Sequence, residues 1–147
     1  MSQSHDSFAP TITAIADSAV AKFTGVKFVA STDGKLHCVP ATTGVCHGIA
    51  QTDCAVTQEV TVKTFAWGYM VLADGTTAIA VGDPLVITGA GATKATGTPL
   101  ADPGPDDPVG STVTYVAFDG IAIEALPSGA GVIEFMPVHG TTAVTSA

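Results

Sequence analysis

One strand-and-turn pattern occurs twice along the chain, and it constrains the fold more than any other feature. The first copy runs Gly25-Val26-Lys27-Phe28-Val29, then Asp33-Gly34, then Gly48-Ile49-Ala50, then Glu59-Val60-Thr61-Val62. The second runs Gly82-Asp83-Pro84-Leu85-Val86, then Ala90-Gly91, then Gly120-Ile121-Ala122, then Gly131-Val132-Ile133-Glu134. The copies stand 57 residues apart at their start and 72 apart from Gly48 onward, so the second carries 15 extra residues in a Pro- and Asp-rich stretch around 99–109. A chain that repeats turn glycines and apolar strand positions, but no reactive side chain, repeats a scaffold and not a catalytic centre.

The surrounding residues point to strands throughout. Ala, Thr, Val and Gly dominate, and only 12% of residues are charged. β-Branched side chains suit a pleated surface and glycines suit its turns. Strands are expected at 11–16, 26–30, 36–39, 45–52, 59–65, 67–73, 85–88, 92–95, 112–117, 120–125 and 132–137, with 19–23 either a strand or a short helical turn. Asp33-Gly34 and Gly89-Ala90-Gly91 are hairpin signals. No window carries a clean 3.6-residue apolar period with caps. The expected fold is therefore all-β, a small β-barrel or β-sandwich built from two similar strand units that share one core. Residues 1–10 read as a flexible arm, 11–138 as one β domain with pseudo-repeats at about 25–65 and 82–136, and 139–147 as a flexible tail. The stretch 98–109 reads as a surface loop, because its prolines bar it from an interior strand.

Charge and length narrow the function. Five lysines and no arginine face thirteen acidic residues, a net charge of −8. Phosphate recognition wants clustered cations, so nucleic acid is not an expected partner. No apolar run is long enough to span a membrane as a helix. No basic-then-apolar leader opens the chain, and synthesis in the cytoplasm is the expectation. Cys38, Cys46 and Cys54, an odd set, read as free thiols.

Four groups of residues are candidates for chemistry. His37-Cys38, Cys46-His47 and Cys54 form the densest set of metal-ligating types, but neighbours on a strand point to opposite faces and the cysteine spacing lacks a close C-x₂₋₄-C pair. Buried apolar cysteines are the favoured reading, with neither metal nor cofactor expected. No Gly-x-Ser-x-Gly elbow is present. Glu59 and Lys63 share a strand face and read as a solvated pair, while Glu124 reads as facing inward beside Ala122. The aromatics Phe65, Trp67, Tyr69, Phe118 and Phe135 read as core anchors, although an exposed Trp67 and Tyr69 would suit a sugar-binding groove. No enzyme is expected.

The two passes, through Gly25, Phe28, Val29, Gly34, Gly48, Ile49 and Ala50 and again through Gly82, Leu85, Val86, Gly91, Gly120, Ile121 and Ala122, resemble the capsid-cement family of tailed-bacteriophage head decoration proteins. The resemblance covers roughly residues 10–138. It implies a small β-rich protein on the capsid exterior of the virion, bound to the major capsid protein, with a homotrimer as the usual form. The expected contacts are Phe8 and Pro10 in the arm and Pro103, Asp106 and Asp107 in the Pro/Asp loop. The other readings are a different virion module, from tail or fibre, and a β-sandwich module binding a small ligand or carbohydrate.

Overall fold

A computed structural model of the protein describes residues 11–64, 69–96, 98–101 and 112–146. Every regular element among them is a strand. The first five are β1 (Thr11–Ala16), β2 (Gly25–Val29), β3 (His37–Pro40), β4 (Gly48–Ala50) and β5 (Glu59–Lys63). They close into a barrel in the order β1-β3-β2-β4-β5. Strand β1 runs parallel to β3 and antiparallel to β5, which seals the ring.

The second six are β6 (Tyr69–Ala73), β7 (Pro84–Thr88), β8 (Gly91–Lys94), β9 (Thr98–Ala101), β10 (Thr112–Ala122) and β11 (Gly131–Ser146). Five of them trace the same circuit. Strand β6 is parallel to β8 and antiparallel to β11, β8 pairs with β7, β7 with β10, and β10 with β11. The duplicated sequence is thus two five-stranded barrels of one plan, with β9 added along the outer edge of β10.

Cross-strand partners align the barrels residue by residue. Ala14 opposes Val60 as Val71 opposes Ile133. Gly48 opposes Val26 as Gly120 opposes Leu85, and Ala50 opposes Val62 as Ala122 opposes Phe135. Alternation along each strand sends one set inward. Ala14, Ala16, Val26, Cys38, Ala50, Val60 and Val62, with Phe28 against them, fill barrel 1. Val71, Ala73, Leu85, Ile87, Ala92, Ala122, Ile133 and Phe135 fill barrel 2. The matched glycines of β4 and β10 are forced by crowding. A Cβ on Gly48 would stand 2.5 Å from the Lys63 carbonyl oxygen, and one on Gly120 would stand 2.5 Å from the Phe135 ring.

Several expectations are corrected. The halves do not share one core: each barrel has its own. Phe28 is matched by Ile87, not Leu85, because the repeat is offset by 59 residues in β2 and β7. The expected strand 45–52 is cut to Gly48–Ala50, since Val45 bridges back to Thr42 in a turn. Residues 19–23 form a turn with one bridge, Val20 to Cys54. Part of the expected loop is strand β9, where Pro99 is tolerated because β9 lies at the sheet edge. The expected tail is also strand: β11 continues past His139 to Ser146, laddered to β10 as far as Thr112.

The barrels meet along one joint. Ala41, Cys46 and Ile49 point out of barrel 1 and pack into the core of barrel 2. Two backbone bonds cross with them, Leu72 N–H to Phe23 O at 2.8 Å and Gly89 N–H to Ala41 O at 2.9 Å. Phe23 adopts a positive φ of 62°, which aims its carbonyl across the joint. That conformation costs a bulky residue about 1–3 kcal/mol and persists only where its surroundings hold it.

Candidate functional site

The expected contact residues Phe8, Pro10, Pro103, Asp106 and Asp107 fall outside the described residues, as do Phe65 and Trp67. Phe135 is in the core as expected. Glu124 is exposed, not inward, because β10 ends at Ala122. Its carboxylate instead accepts the Glu134 amide at 3.1 Å.

The histidine–cysteine region separates as strand alternation requires. Cys38 turns into barrel 1, where Cys54 is also buried, while Cys46 faces the joint. All three are free. Burial pushes the Cys38 thiol up to about 11 and Cys46 up to about 12, and raises Cys54 as well. Thiols held protonated are poor nucleophiles and poor metal ligands near neutral pH. Among the described residues no cluster of three or more His, Cys, Asp or Glu side chains is placed to hold a metal ion.

His37 turns outward into a clamp. Its Nδ1 is 2.6 Å from Asp17 Oδ1 and its Nε2 is 3.1 Å from Asp33 Oδ2. Donating to both carboxylates requires a proton on each nitrogen, so the pair holds the imidazolium form. The pKa of His37 is raised, by Asp17 first and Asp33 second. Asp33 is lowered to about 2, chiefly by the Lys35 amide and then by His37. The clamp ties the seven-residue loop between β2 and β3 to the end of β1. It is a structural fastening: both ring nitrogens are engaged, and the remaining Asp33 oxygen accepts the Lys35 amide at 3.0 Å.

A cleft of about 390 Å³ lies beside the joint and is lined by Thr43 and Gly44 from barrel 1 and by Val86, Ala117, Phe118, Asp119, His139 and Gly140 from barrel 2. Asp119 sits where the β10 ladder slips between Phe118 and Gly120. It is 3% exposed. Its Oδ2 accepts the Ile87 amide at 2.9 Å, and its Oδ1 stands 3.4 Å from His139 Nδ1. A buried carboxylate bound in this way supports the strand slip. The sequence held no signal for this pair, because residues 119 and 139 meet only through the β10–β11 ladder.

No protein-family model matches the chain, and no curated protein matches it. The fold has a solved counterpart. The crystal structure of the head fiber gp8.5 N base of bacteriophage phi29 superposes with a TM-score of 0.59 at 18% sequence identity, over 89% of this chain and 95% of that one. Coverage this wide spans both barrels and the joint between them. The likeness is therefore to the two-barrel plan as a whole and not to a single common barrel.

Proposed function

We propose that the chain is a non-enzymatic structural protein of a phage virion, fixed to the outside of the head by contact with the major capsid protein. The observation that carries this reading is the likeness of the whole two-barrel plan to a phage head fiber base. The composition agrees: a protein that binds a preformed shell at many equivalent sites needs contact surface and oligomeric avidity, not a reactive centre. In this reading the protein decorates and cements the shell as a homotrimer at local symmetry axes, with no cofactor. The likeness equally favours a second reading, in which the two barrels are the base of a head fibre.

Decoration of purified heads tests both. Heads of the encoding phage, prepared without this protein, are expected to bind it on their outer surface, and removal of residues 1–10 is expected to lower occupancy without unfolding the barrels. Regular coverage of the shell supports decoration, and a few fixed positions support a fibre base. Binding to tails, or to no part of the particle, contradicts the head reading.

A further inference from the structure

Barrels built on one plan can be compared position by position on their outer walls. Gln51, Glu59, Lys63 and Thr13 of barrel 1 are matched in barrel 2 by Ile123, Val132, Met136 and Met70. Along β1, β4 and β5 only Thr61, matched by Glu134, changes in the other direction. On β2 and β3 the outward Val29 and Val39 are matched by Thr88 and Thr93, so the apolar change is concentrated on one wall. The apolar residues adjoin. Met136 is the cross-strand partner of Ile121, Val132 of Leu72, and the Ile123 amide bonds the Glu134 carbonyl at 3.1 Å. Ile123 is 40% exposed and Val132 36% exposed. Side chains on one face of neighbouring strands form a continuous surface, and an apolar one on a barrel exterior marks a place where something binds.

The fold itself indicates the occupant. Ile121 holds in barrel 2 the position that Ile49 holds in barrel 1. Ile49 is 1% exposed because that wall of barrel 1 is packed against barrel 2. The molecule therefore contains one finished wall-to-barrel contact and a second wall, at the equivalent place, with no barrel on it among the described residues. Charge fits the same partner. Residues 11–64 hold four lysines and four acidic residues, whereas the described residues of 69–146 hold one lysine and five acidic residues, with Glu124 and Glu134 beside the apolar wall. A balanced barrel 1 carrying Lys22, Lys27 and Lys35 complements an acidic barrel 2 better than a second barrel 2 would.

We propose that the outer wall of barrel 2 around Ile121, Ile123, Val132 and Met136 binds barrel 1 of a second copy, repeating between copies the contact that joins the barrels within one. Such a contact is heterologous, using different surfaces on its two sides, and it builds a ring of a few copies where its rotation closes. The proposal deepens the oligomeric part of the reading above by naming the surface.

The full chain without phage heads provides the test. Sedimentation velocity across a concentration series is expected to show a finite oligomer, and Ile123→Glu to weaken it at least about tenfold, the loss of a central apolar anchor. Val132→Thr, which keeps a β-branched side chain on the strand, is expected to weaken it less, and guards against a folding defect in the first variant. Carboxyl–amine cross-linking of mixed light and heavy copies is expected to join Glu124 or Glu134 of one copy to a barrel 1 lysine of another. A monomer at every concentration, association unchanged in both variants, or cross-links only between second barrels would overturn the proposal. Loss of head binding in Ile123→Glu with self-association intact would do the same, by assigning the wall to the shell. An oligomer that never binds heads would sink the head reading and leave this inference standing.

Discussion

Barrel 1 and barrel 2 share a strand circuit and an inward residue set but differ in what surrounds them. Barrel 1 has small filling residues, among them Ala14, Ala16, Cys38 and Ala50, and outside the joint it carries polar Gln51, Glu59, Lys63 and Thr13 where barrel 2 is apolar. Barrel 2 has the larger Phe135, Ile133, Leu85 and Ile87 inside and an apolar outer wall. Barrel 1 is joined on one wall by its sister, whereas barrel 2 extends its β10–β11 ladder well beyond the barrel and gains β9. The duplication supplies the scaffold, and the two copies have diverged on their surfaces. The difference teaches that divergence after duplication is concentrated on the outer wall and the β10–β11 extension of barrel 2.

The largest effect that can break this comparison is in the cores. Phe135→Ala is expected to cost about 4 kcal/mol, and the equivalent Val62→Ala about 2 kcal/mol, because a smaller side chain leaves a smaller cavity. Both should move one common unfolding transition, since Ile49 and Cys46 of barrel 1 belong to the packing of barrel 2. Amide exchange resolved by barrel checks this. Barrel 1 strands that keep full protection in Phe135→Ala would show that the joint does not couple them.

A smaller effect separates the hairpins. The turn between β7 and β8 is two residues, Gly89 and Ala90, and is braced by a neutral hydroxyl, with Thr88 Oγ1 accepting the Ala90 amide at 3.2 Å. The corresponding loop in barrel 1 is longer and relies on His37 between Asp17 and Asp33. Because the folded pKa of His37 is raised above 6.5, its contribution is complete below that value and is lost as pH rises through the folded pKa. Asp33 acts in the opposite sense: its contribution is present above 3.8 and fades as pH falls toward about 2. Urea midpoints should therefore decline modestly above neutral pH in the native chain and stay flat over that range in His37→Asn. An identical slope in both would remove the clamp from the account.

The sequence disclosed the scaffold because its glycines are set by steric crowding. Gly48 and Gly120 stand against a carbonyl and an aromatic ring in equivalent places, so both copies retained them. The alignment of the repeat was less legible. A slip of two residues between β2 and β7 preserves the in–out alternation and leaves no trace in the pattern. In β5 and β11 the alignment slipped by one for a more informative reason: Val132 faces outward but is apolar, so it read as the counterpart of the inward Val60. That misreading is the apolar wall itself, seen without its geometry. The joint was not legible, since Cys46 and Ile49 read as ordinary strand residues until barrel 2 packs on them. Nor was β9, whose Pro99 spoke against a strand until the edge position was known.

One position has two surroundings, fully buried against the sister barrel at Ile49 and half-buried at Ile121 on the wall proposed to receive another copy. Denaturant unfolding of Ile49→Ala and Ile121→Ala, in solutions dilute enough to hold the monomer, tests it most directly. The account predicts a loss of about 3 kcal/mol for Ile49→Ala and roughly half that or less for Ile121→Ala, because the first side chain is fully buried and the second only half-buried. Equal losses at the two positions would contradict it.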